Sequence, residues 1–254
     1  MGHLISELTY EQCQDLINED TVVMLPIGGG SKEHGGQLPM GTDYIVCDWM
    51  AREVTKRADV LTLPTMPFAY FPAFIKWKGS VSVDYQNFIN YTKDVLMSFV
   101  RYGVRKFLIL DFGVSTHIPL KLLALTMNNE YNVKVAVSDC TGCGREVEKE
   151  VCSQPSGGHG DEAETSMVLH IRPDLVHMDR AAEEYSPSFP KTRGAGFEKI
   201  YFPNRMVTPH GTNGNSTLAD PVKGEKILNA EVDDIVAFLE EFKAWDIGDG
   251  DYKG

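Results

Sequence analysis

The amino-acid sequence predicts a single-domain α/β protein, in which helices cover both faces of a mostly parallel central sheet. Two observations carry this prediction. Short apolar runs typical of buried strands alternate along the chain with longer segments in which apolar residues recur at helical spacing. The chain has 254 residues, of which 43% are hydrophobic, so one sizeable domain is expected over residues 1–254, with its core at about residues 20–245.

Four apolar runs predict the strands of this sheet. Residues 21–27 begin with β-branched side chains and are followed by three glycines, and residues 106–112 form a second strongly apolar run. Residues 60–63 and 133–137 are shorter runs of the same kind. Strands that are buried on both faces have continuous apolar sequences. These segments therefore favour a parallel sheet that is covered by helices on both faces.

Segments with helical spacing predict five longer helices and one short one. Thr42 or Asp43 can cap the first helix, and a Thr-Ser pair is expected at the start of the fourth longer one. Residues 64–83 contain three prolines and many aromatic side chains and predict an irregular loop, residues 180–220 are rich in loops, and residues 246–254 predict a frayed tail. The expected helices cover residues 43–57, 85–102, 119–128, 145–151, 164–171 and 221–245.

The charge balance argues against one class of partner. The chain has 24 Lys and Arg residues against 36 Asp and Glu residues, which gives a formal net charge of −12. Because no basic surplus is present to neutralise phosphates, nucleic-acid binding is not expected. The acidic excess indicates either a solvated surface or a few carboxylates that converge on a cation. The chain has neither an apolar run of about 18 residues nor a recognisable secretion signal, so we expect a cytoplasmic protein without a membrane span, whose five cysteines are reduced thiols.

The first candidate cluster lies in the loop after residue 27. Ligands of parallel sheets bind beyond the carboxyl ends of the strands, and the two most polar, glycine-rich loops follow residues 27 and 112. The first of these loops contains Glu33, His34 and Asp43, which offer the mixture of nitrogen and oxygen ligands that divalent metal ions bind. The alternative interpretation is a charged surface turn.

The second candidate cluster is the segment 157–166. His159 has the chemistry of a general acid or of a substrate-positioning group, and Glu162 or Glu164 has the chemistry to complete a metal shell or to orient a metal-bound water. The alternative interpretation is an acidic helix N-terminus, which the helix dipole favours without any site.

These two clusters, together with residues 211–219 and 223–225, resemble the creatininase (creatinine amidohydrolase) family. In that family a Gly-Ser-x-Glu-x-His-Gly-x-His-Leu-Pro-x-x-x-Asp loop follows the first strand, and residues 30–43 of this chain read Gly-Ser-Lys-Glu-His-Gly-Gly-Gln-Leu-Pro-Met-Gly-Thr-Asp. The family's His-Ala-Gly-x-x-Glu-Thr-Ser element is similar to residues 159–166. The resemblance extends over roughly residues 20–240.

The resemblance implies a three-layer α/β/α sandwich and a site with one or two divalent ions, either zinc, manganese or iron. It also implies hydrolysis of amide C–N bonds, often in cyclic or formyl amides of small molecules, and a homo-oligomer that is commonly a hexamer. His34 and Asp43 match metal ligands of the family, and Asp43 would bridge if two ions are present. His159 matches a histidine that binds substrate or transfers a proton.

We therefore expect a metal-dependent amidohydrolase. The predicted metal ligands are His34 and Asp43 with one or two of Glu33 and Glu162, which together would activate a water and polarise the amide carbonyl. Glu164 or Glu162 would accept the proton of the water, and His159 would protonate the leaving nitrogen or stabilise the oxyanion.

Because of three departures from the family pattern, alternative functions remain open. Lys32 stands where the family's ligand glutamate falls when counted back from His34, Gln37 replaces a histidine, and residues 111–117 replace a loop that supplies another metal histidine. A lysine at position 32 could act as a fixed cation in place of a second ion. The alternatives are a different metal-assisted reaction, such as lactone opening or isomerisation, and a protein without turnover whose metal centre is reduced or absent.

The other chemical candidates carry weaker signals. Cys140, Cys143 and Cys152 have the ligand type of a structural zinc site but not a familiar spacing. The aromatic stretch at residues 68–77 is typical of a core or a subunit interface rather than of a substrate clamp. The remaining histidines are His117, expected to cap or pack against a helix; His170 and His177, expected to be structural; and His210, which could line the cleft.

Overall fold

A computed structural model of the chain describes residues 2–139, 142–186 and 208–245. Seven strands and seven α-helices are found in these residues. The strands are β1 (His3–Leu4), β2 (Val22–Ile27), β3 (Leu61–Thr62), β4 (Lys106–Asp111), β5 (Lys134–Val137), β6 (Glu183–Glu184) and β7 (Gly214–Asn215). The helices are α1 (Tyr10–Leu16), α2 (Thr42–Arg57), α3 (Tyr85–Arg101), α4 (Val114–Glu130), α5 (Arg145–Val151), α6 (Glu162–Ile171) and α7 (Pro221–Ala244).

The central sheet has five parallel strands in the order β1-β3-β2-β4-β5. In the centre of the sheet, β2 pairs with β4 along its whole length, from Val22 opposite Lys106 to Ile27 opposite Asp111. The carboxyl ends of these two strands therefore lie side by side. A separate antiparallel pair joins β6 to β7.

Alternate residues of the two central strands enter two different cores. Val22 and Met24 of β2 pack in a cluster with buried residues of α2, α6 and α7. Val23 and Leu25 pack on the other face, in a cluster with residues of α3 and α4. Because successive side chains of a strand point to opposite faces, a continuous apolar run supplies both cores. The predicted three-layer α/β/α architecture is confirmed.

The four predicted strands and the six predicted helices are all present, but two helices begin earlier than predicted. Helix α4 begins at Val114, and Pro119 lies inside it rather than at its start. Helix α6 begins at Glu162 and is capped by Asp161, whose side chain accepts a hydrogen bond from the Glu164 amide at 3.0 Å, not by the Thr-Ser pair. The predicted tail at 246–254 lies outside the described residues.

Helix α2 places a site residue in an unusual way. Gly41 precedes its first residue and has no side chain to cap it, so neither Thr42 nor Asp43 takes the predicted capping position. Asp43 lies in the first turn, where it is 1% exposed. Its carboxylate is thus available for contacts with the loop that precedes the helix.

Two segments at the amino terminus had no sequence prediction. Strand β1 contains only two residues and pairs with β3 at the edge of the sheet. Helix α1 is short, and Thr9 and Gln12 close a capping box at its start. In the described residues, no helix combines the length and the apolar character needed to cross a membrane.

Candidate functional site

The candidate site lies at the carboxyl end of β2, where residues 28–41 connect the strand to α2. The loop packs closely on the helix: a Cβ atom on Gly28 would lie 2.7 Å from the Cα atom of Tyr44. This close approach requires glycine and holds the loop over the first turn of α2. The amino terminus of α6 meets the same loop, since a Cβ on Gly160 would lie 2.7 Å from the carbonyl oxygen of His34.

Asp43 is the centre of the first cluster. Its Oδ1 lies 2.6 Å from Nε2 of His34, and its Oδ2 lies 2.6 Å from Nζ of Lys32. Burial by itself would raise the pKa of this carboxyl, but the neighbouring Lys32 and His34 outweigh burial and hold the pKa well below its usual range. Asp43 is therefore an ionised carboxylate in a buried position.

The ring of His34 is held in one orientation. Its Nδ1 lies 2.9 Å from the carbonyl oxygen of Lys32, so Nδ1 donates a hydrogen bond to the backbone. Nε2 faces the ionised carboxylate of Asp43 and donates to its Oδ1, so a metal ion bound at Nε2 would replace this proton. A histidine whose Nδ1 donates to a carbonyl presents Nε2 in the way that metal-binding histidines do.

The second cluster meets the first directly. The ring centroids of His34 and His159 are 4.7 Å apart. One ligand atom each from His34, His159 and Glu164 lies within 4.8 Å of the others, and these three residues form the one group of this kind in the part of the chain that the structure describes. Glu164 is further fixed because the Gly160 amide donates a hydrogen bond to its Oε2.

His159 also contacts Glu33. Its Nε2 lies 3.4 Å from Oε2 of Glu33, while the Gly35 amide donates to Oε1 of the same carboxylate. Burial lowers the pKa of His159, and the hydrogen bond with Glu33 only partly opposes this shift. A neutral imidazole held by a carboxylate has the arrangement of a proton-transfer pair. The structure thus places Glu33 beside His159 rather than in the group with His34.

Glu162, predicted as a metal ligand, lies outside this group. Both of its carboxylate oxygens are engaged elsewhere: the amides of Ser153 and Gln154 donate to Oε2 at 2.8 and 2.7 Å, and Nζ of Lys223 lies 2.5 Å from Oε1. The carboxylate is fully buried. Glu162 therefore forms a structural ion pair that ties the start of α6 to α7, and it is not free to accept the proton of a water.

Two further residues of the site were only partly anticipated. The side chain of Gln37 donates to the carbonyl oxygen of Gly160 at 2.7 Å and to the hydroxyl of Thr165 at 3.2 Å. Gln37 thus joins the β2–α2 loop to α6 where the family pattern has a histidine. From the aromatic stretch, Phe74 is 8% exposed and its ring centroid lies 4.5 Å from that of His159, so this part of the stretch forms a wall of the site.

The carboxyl end of β4 carries a different arrangement. Oδ1 of Asp111 accepts hydrogen bonds from the hydroxyl of Thr116 at 2.5 Å and from the amide of Gly113 at 3.2 Å. Nδ1 of His117 lies 3.4 Å from Oδ2 of Asp111. Burial raises the pKa of Asp111, and its polar neighbours compensate only in part. His117 lies in the first turn of α4 and is not in the group with His34.

The remaining candidates are outside the group of His34, His159 and Glu164, or outside the described residues. Cys140 is outside them; Cys143 and Cys152 are free thiols whose pKa values burial raises to about 11 and about 12, which opposes a thiolate zinc site. The ring of His170 packs on the edge of Trp49, and the exposed side chain of His210 contacts Glu184 at 2.6 Å. The backbone amide of His177 donates to the carbonyl of Gln37 at 2.8 Å.

The donor set fits a divalent metal ion. Two imidazoles and a carboxylate converge, and the ionised Asp43 contacts one of these imidazoles. Nitrogen and carboxylate oxygen ligands in such numbers suit zinc, manganese and iron. All of these side chains except Glu164 are buried, so an ion here would be well shielded from solvent.

Comparison with known proteins gives concordant matches. A family model described as "Creatinine amidohydrolase" matches residues 6–239. A "Creatinine amidohydrolase" of Pseudomonas putida is 26% identical over 263 residues, which cover 94% of this chain and 96% of that protein. A "Mycofactocin precursor peptide peptidase" of Mycobacterium ulcerans is 26% identical, covering 85% of this chain and 83% of that protein.

Solved structures show the same fold. A structure described as "Creatininase Mn" superposes with a TM-score of 0.79 at 24% identity and covers 95% of this chain and 99% of its own. A creatininase mutant of "Zn-Zn type" superposes with a TM-score of 0.76 at 23% identity, with the same coverage. At these identities the structures establish the architecture of the chain.

Proposed function

The chain belongs to the creatininase family, and from this premise we propose that it is a metal-dependent amidohydrolase that cleaves a non-peptide amide C–N bond in a small molecule, such as a cyclic or formyl amide. The observation that carries the proposal is the convergence of His34, His159 and Glu164 beside the ionised Asp43. Relatives and neighbours named as amidohydrolases, and neighbours described with manganese or zinc, support it.

Of the four groups that converge, we assign His34, Asp43 and Glu164 to the metal and keep His159 for proton transfer, because His159 contacts Glu33. A bound zinc or manganese ion would lower the pKa of a water towards 7 and polarise the amide carbonyl. His34 is held for this role by its hydrogen bond to the carbonyl of Lys32, and Glu164 by the amide of Gly160. Glu33 and Glu162, predicted as further ligands, take other positions.

We assign proton transfer to His159 and Glu33. Because burial lowers the pKa of His159, the imidazole is neutral at the start of a turnover and can accept a proton from the attacking water. Glu33, 3.4 Å away, stabilises the imidazolium that forms. His159 then delivers the proton to the leaving nitrogen, which completes cleavage of the C–N bond. Glu164, predicted as the base, is better placed as a ligand because it faces both imidazoles.

The test combines metal analysis with substrate profiling of the purified protein. The metal content is measured by plasma mass spectrometry, and hydrolysis of cyclic, formyl and peptide amides is followed by the release of amine before and after chelation. We expect a divalent ion, hydrolysis of a cyclic or formyl amide, loss of hydrolysis on chelation, and recovery on adding manganese or zinc. Protein that binds no divalent ion, or hydrolysis that survives complete removal of metal, would contradict the mechanism.

A second candidate is a family member without turnover. The observation that favours it is the buried Lys32 ammonium on Asp43, which introduces a positive charge into the site. This hypothesis predicts that the folded protein binds no divalent metal ion when the ion is supplied at millimolar concentration. Metal titration by calorimetry therefore separates the two candidates before any substrate is known.

The homo-oligomer remains a prediction, and one surface supports it. Val114, Ile118, Leu122 and Leu125 are each 58–65% exposed and follow one another at helical spacing along α4. An exposed apolar stripe of this kind is typical of an interface between subunits. Light scattering after size-exclusion chromatography measures the molar mass directly, and a monomer of 28.3 kDa would refute the prediction.

A further inference from the structure

The most unusual feature of the site is a buried lysine in direct contact with a predicted metal ligand. Nζ of Lys32 lies 2.6 Å from Oδ2 of Asp43, and the two side chains are 7% and 1% exposed. The same ammonium lies 4.9 Å from the centre of the Phe71 ring and 5.0 Å from that of Phe74. A carboxylate and two aromatic faces therefore hold the positive charge in one place.

The position of this charge is inside the site. Phe74, which lies 5.0 Å from the ammonium, also packs at 4.5 Å against the ring of His159. Asp43 divides its two oxygens between the ammonium and Nε2 of His34. One oxygen of this carboxylate is thus directed to the histidine that we assign to the metal, while the other is already neutralised.

We propose that Lys32 replaces a second metal ion, so that the site holds one divalent ion per chain and Asp43 binds that ion through Oδ1 alone. The inference rests on the proposed function. A carboxylate that bridges two ions with one oxygen on each has both oxygens on metal, and here a lysine ammonium takes the place of the second positive charge on Oδ2. A neighbouring structure described as "Zn-Zn type" has the two-ion form from which this arrangement departs.

The test is the number of ions bound by the wild type and by Lys32→Glu, measured by plasma mass spectrometry and by calorimetric titration with zinc. The substitution replaces the ammonium with a carboxylate beside the released Oδ2 of Asp43. We expect the number of ions to rise from one in the wild type to two in the variant. Lys223→Gln is the matched control, because it also removes a lysine from a buried carboxylate, that of Glu162, and it should keep one ion.

The outcomes separate this inference from the proposed function. Two ions in the wild type, or one ion in a folded Lys32→Glu variant, would overturn the role of Lys32 while leaving metal-dependent hydrolysis intact. No ion in the wild type would instead refute the proposed function itself. Folding of each variant is checked by circular dichroism.

If Lys32→Glu does not fold, zinc-loaded crystals of the wild-type protein still test the proposal. Anomalous scattering from zinc-loaded crystals should show one peak, next to His34, with Nζ of Lys32 within hydrogen-bond distance of Asp43. Two peaks, or an ammonium displaced from Asp43, would contradict the proposal.

Discussion

The carboxyl ends of β2 and β4 lie side by side, yet the buried aspartates near them have pKa values that are shifted in opposite directions. Near the end of β2, Asp43 contacts an ammonium and an imidazole at 2.6 Å, and its pKa lies well below the usual range. At the end of β4, Asp111 has a hydroxyl and an amide as its close partners, with His117 at 3.4 Å, and burial raises its pKa.

The comparison shows what a buried carboxylate needs in order to bind a cation. Burial alone favours the protonated acid, so a carboxylate far from positive charge is a poor metal ligand. Asp43 keeps its charge because Lys32 and His34 compensate burial, whereas Asp111 has no lysine or arginine among its contacts in the described residues. The chemistry is therefore expected at the end of β2, although an aspartate and a histidine lie near the end of each strand in space.

The largest expected effect comes from exchanging the two aspartates for asparagine one at a time. Asp43→Asn should abolish stable metal binding and lower kcat/KM by about 1000-fold, because it removes a charged ligand that supports transition-state stabilisation worth several kcal/mol. Metal content and steady-state rates measure the effect on the best substrate of the amide panel.

Asp111→Asn is the matched control for that experiment. The amide oxygen can still accept hydrogen bonds from Thr116 and Gly113, so the fold should be preserved. We expect normal metal content and a rate within about threefold of the wild type, since Asp111 contacts no group that we assign to the reaction. Equal losses in the two variants would mean that both strand ends serve the metal.

The next effect concerns stability rather than chemistry. Glu162→Gln leaves the amide contacts of the side chain in place but removes the negative charge paired with Lys223. Breaking a buried pair costs several kcal/mol, and because Lys223 is 24% exposed we expect a loss of about 2 kcal/mol in the free energy of unfolding. Urea denaturation measures this loss. The number of bound ions should not change; a lost ion would restore Glu162 as a ligand.

The sequence predicted the sheet better than it predicted the positions of the helix starts. Strands β2 and β4 are apolar on both faces, and this burial is visible in composition alone. Strand β1 has two residues that pair through backbone atoms, which leave no pattern. Proline is typical of the first turn of a helix, so the sequence predicts that α4 begins at Pro119, whereas the helix begins five residues earlier.

The sequence predicted only those parts of the site that local motifs encode. His34, Asp43, His159 and Glu164 follow from local motifs, and the structure brings them to one place. Glu162 and Glu164 are two residues apart on a helix, so their side chains differ by about 200° around its axis, and both could not face the same ion. The contact between Lys32 and Asp43 depends on how an irregular loop folds, and no periodicity encodes it.

The smallest expected effect is the dependence of stability on pH at the end of β4. Because the pKa of Asp111 is raised in the folded state, its contribution to stability is fully present below its unfolded pKa and is lost as the pH rises through the folded value. Asparagine does not ionise, so Asp111→Asn removes the loss of stability that ionisation of Asp111 causes as the pH rises. Relative to the wild type, the variant should therefore gain about 1 kcal/mol in the free energy of unfolding between pH 4 and pH 7.

Urea denaturation at several pH values measures this gain. Since His117 also faces the carboxylate, the same pair is compared in a His117→Asn background, where only Asp111 titrates at this contact. A gain that persists there assigns the effect to burial of the aspartate. A difference that is flat, or that falls from pH 4 to pH 7, would show that Asp111 is ionised in the folded protein, and the contrast between the two strand ends would then be lost.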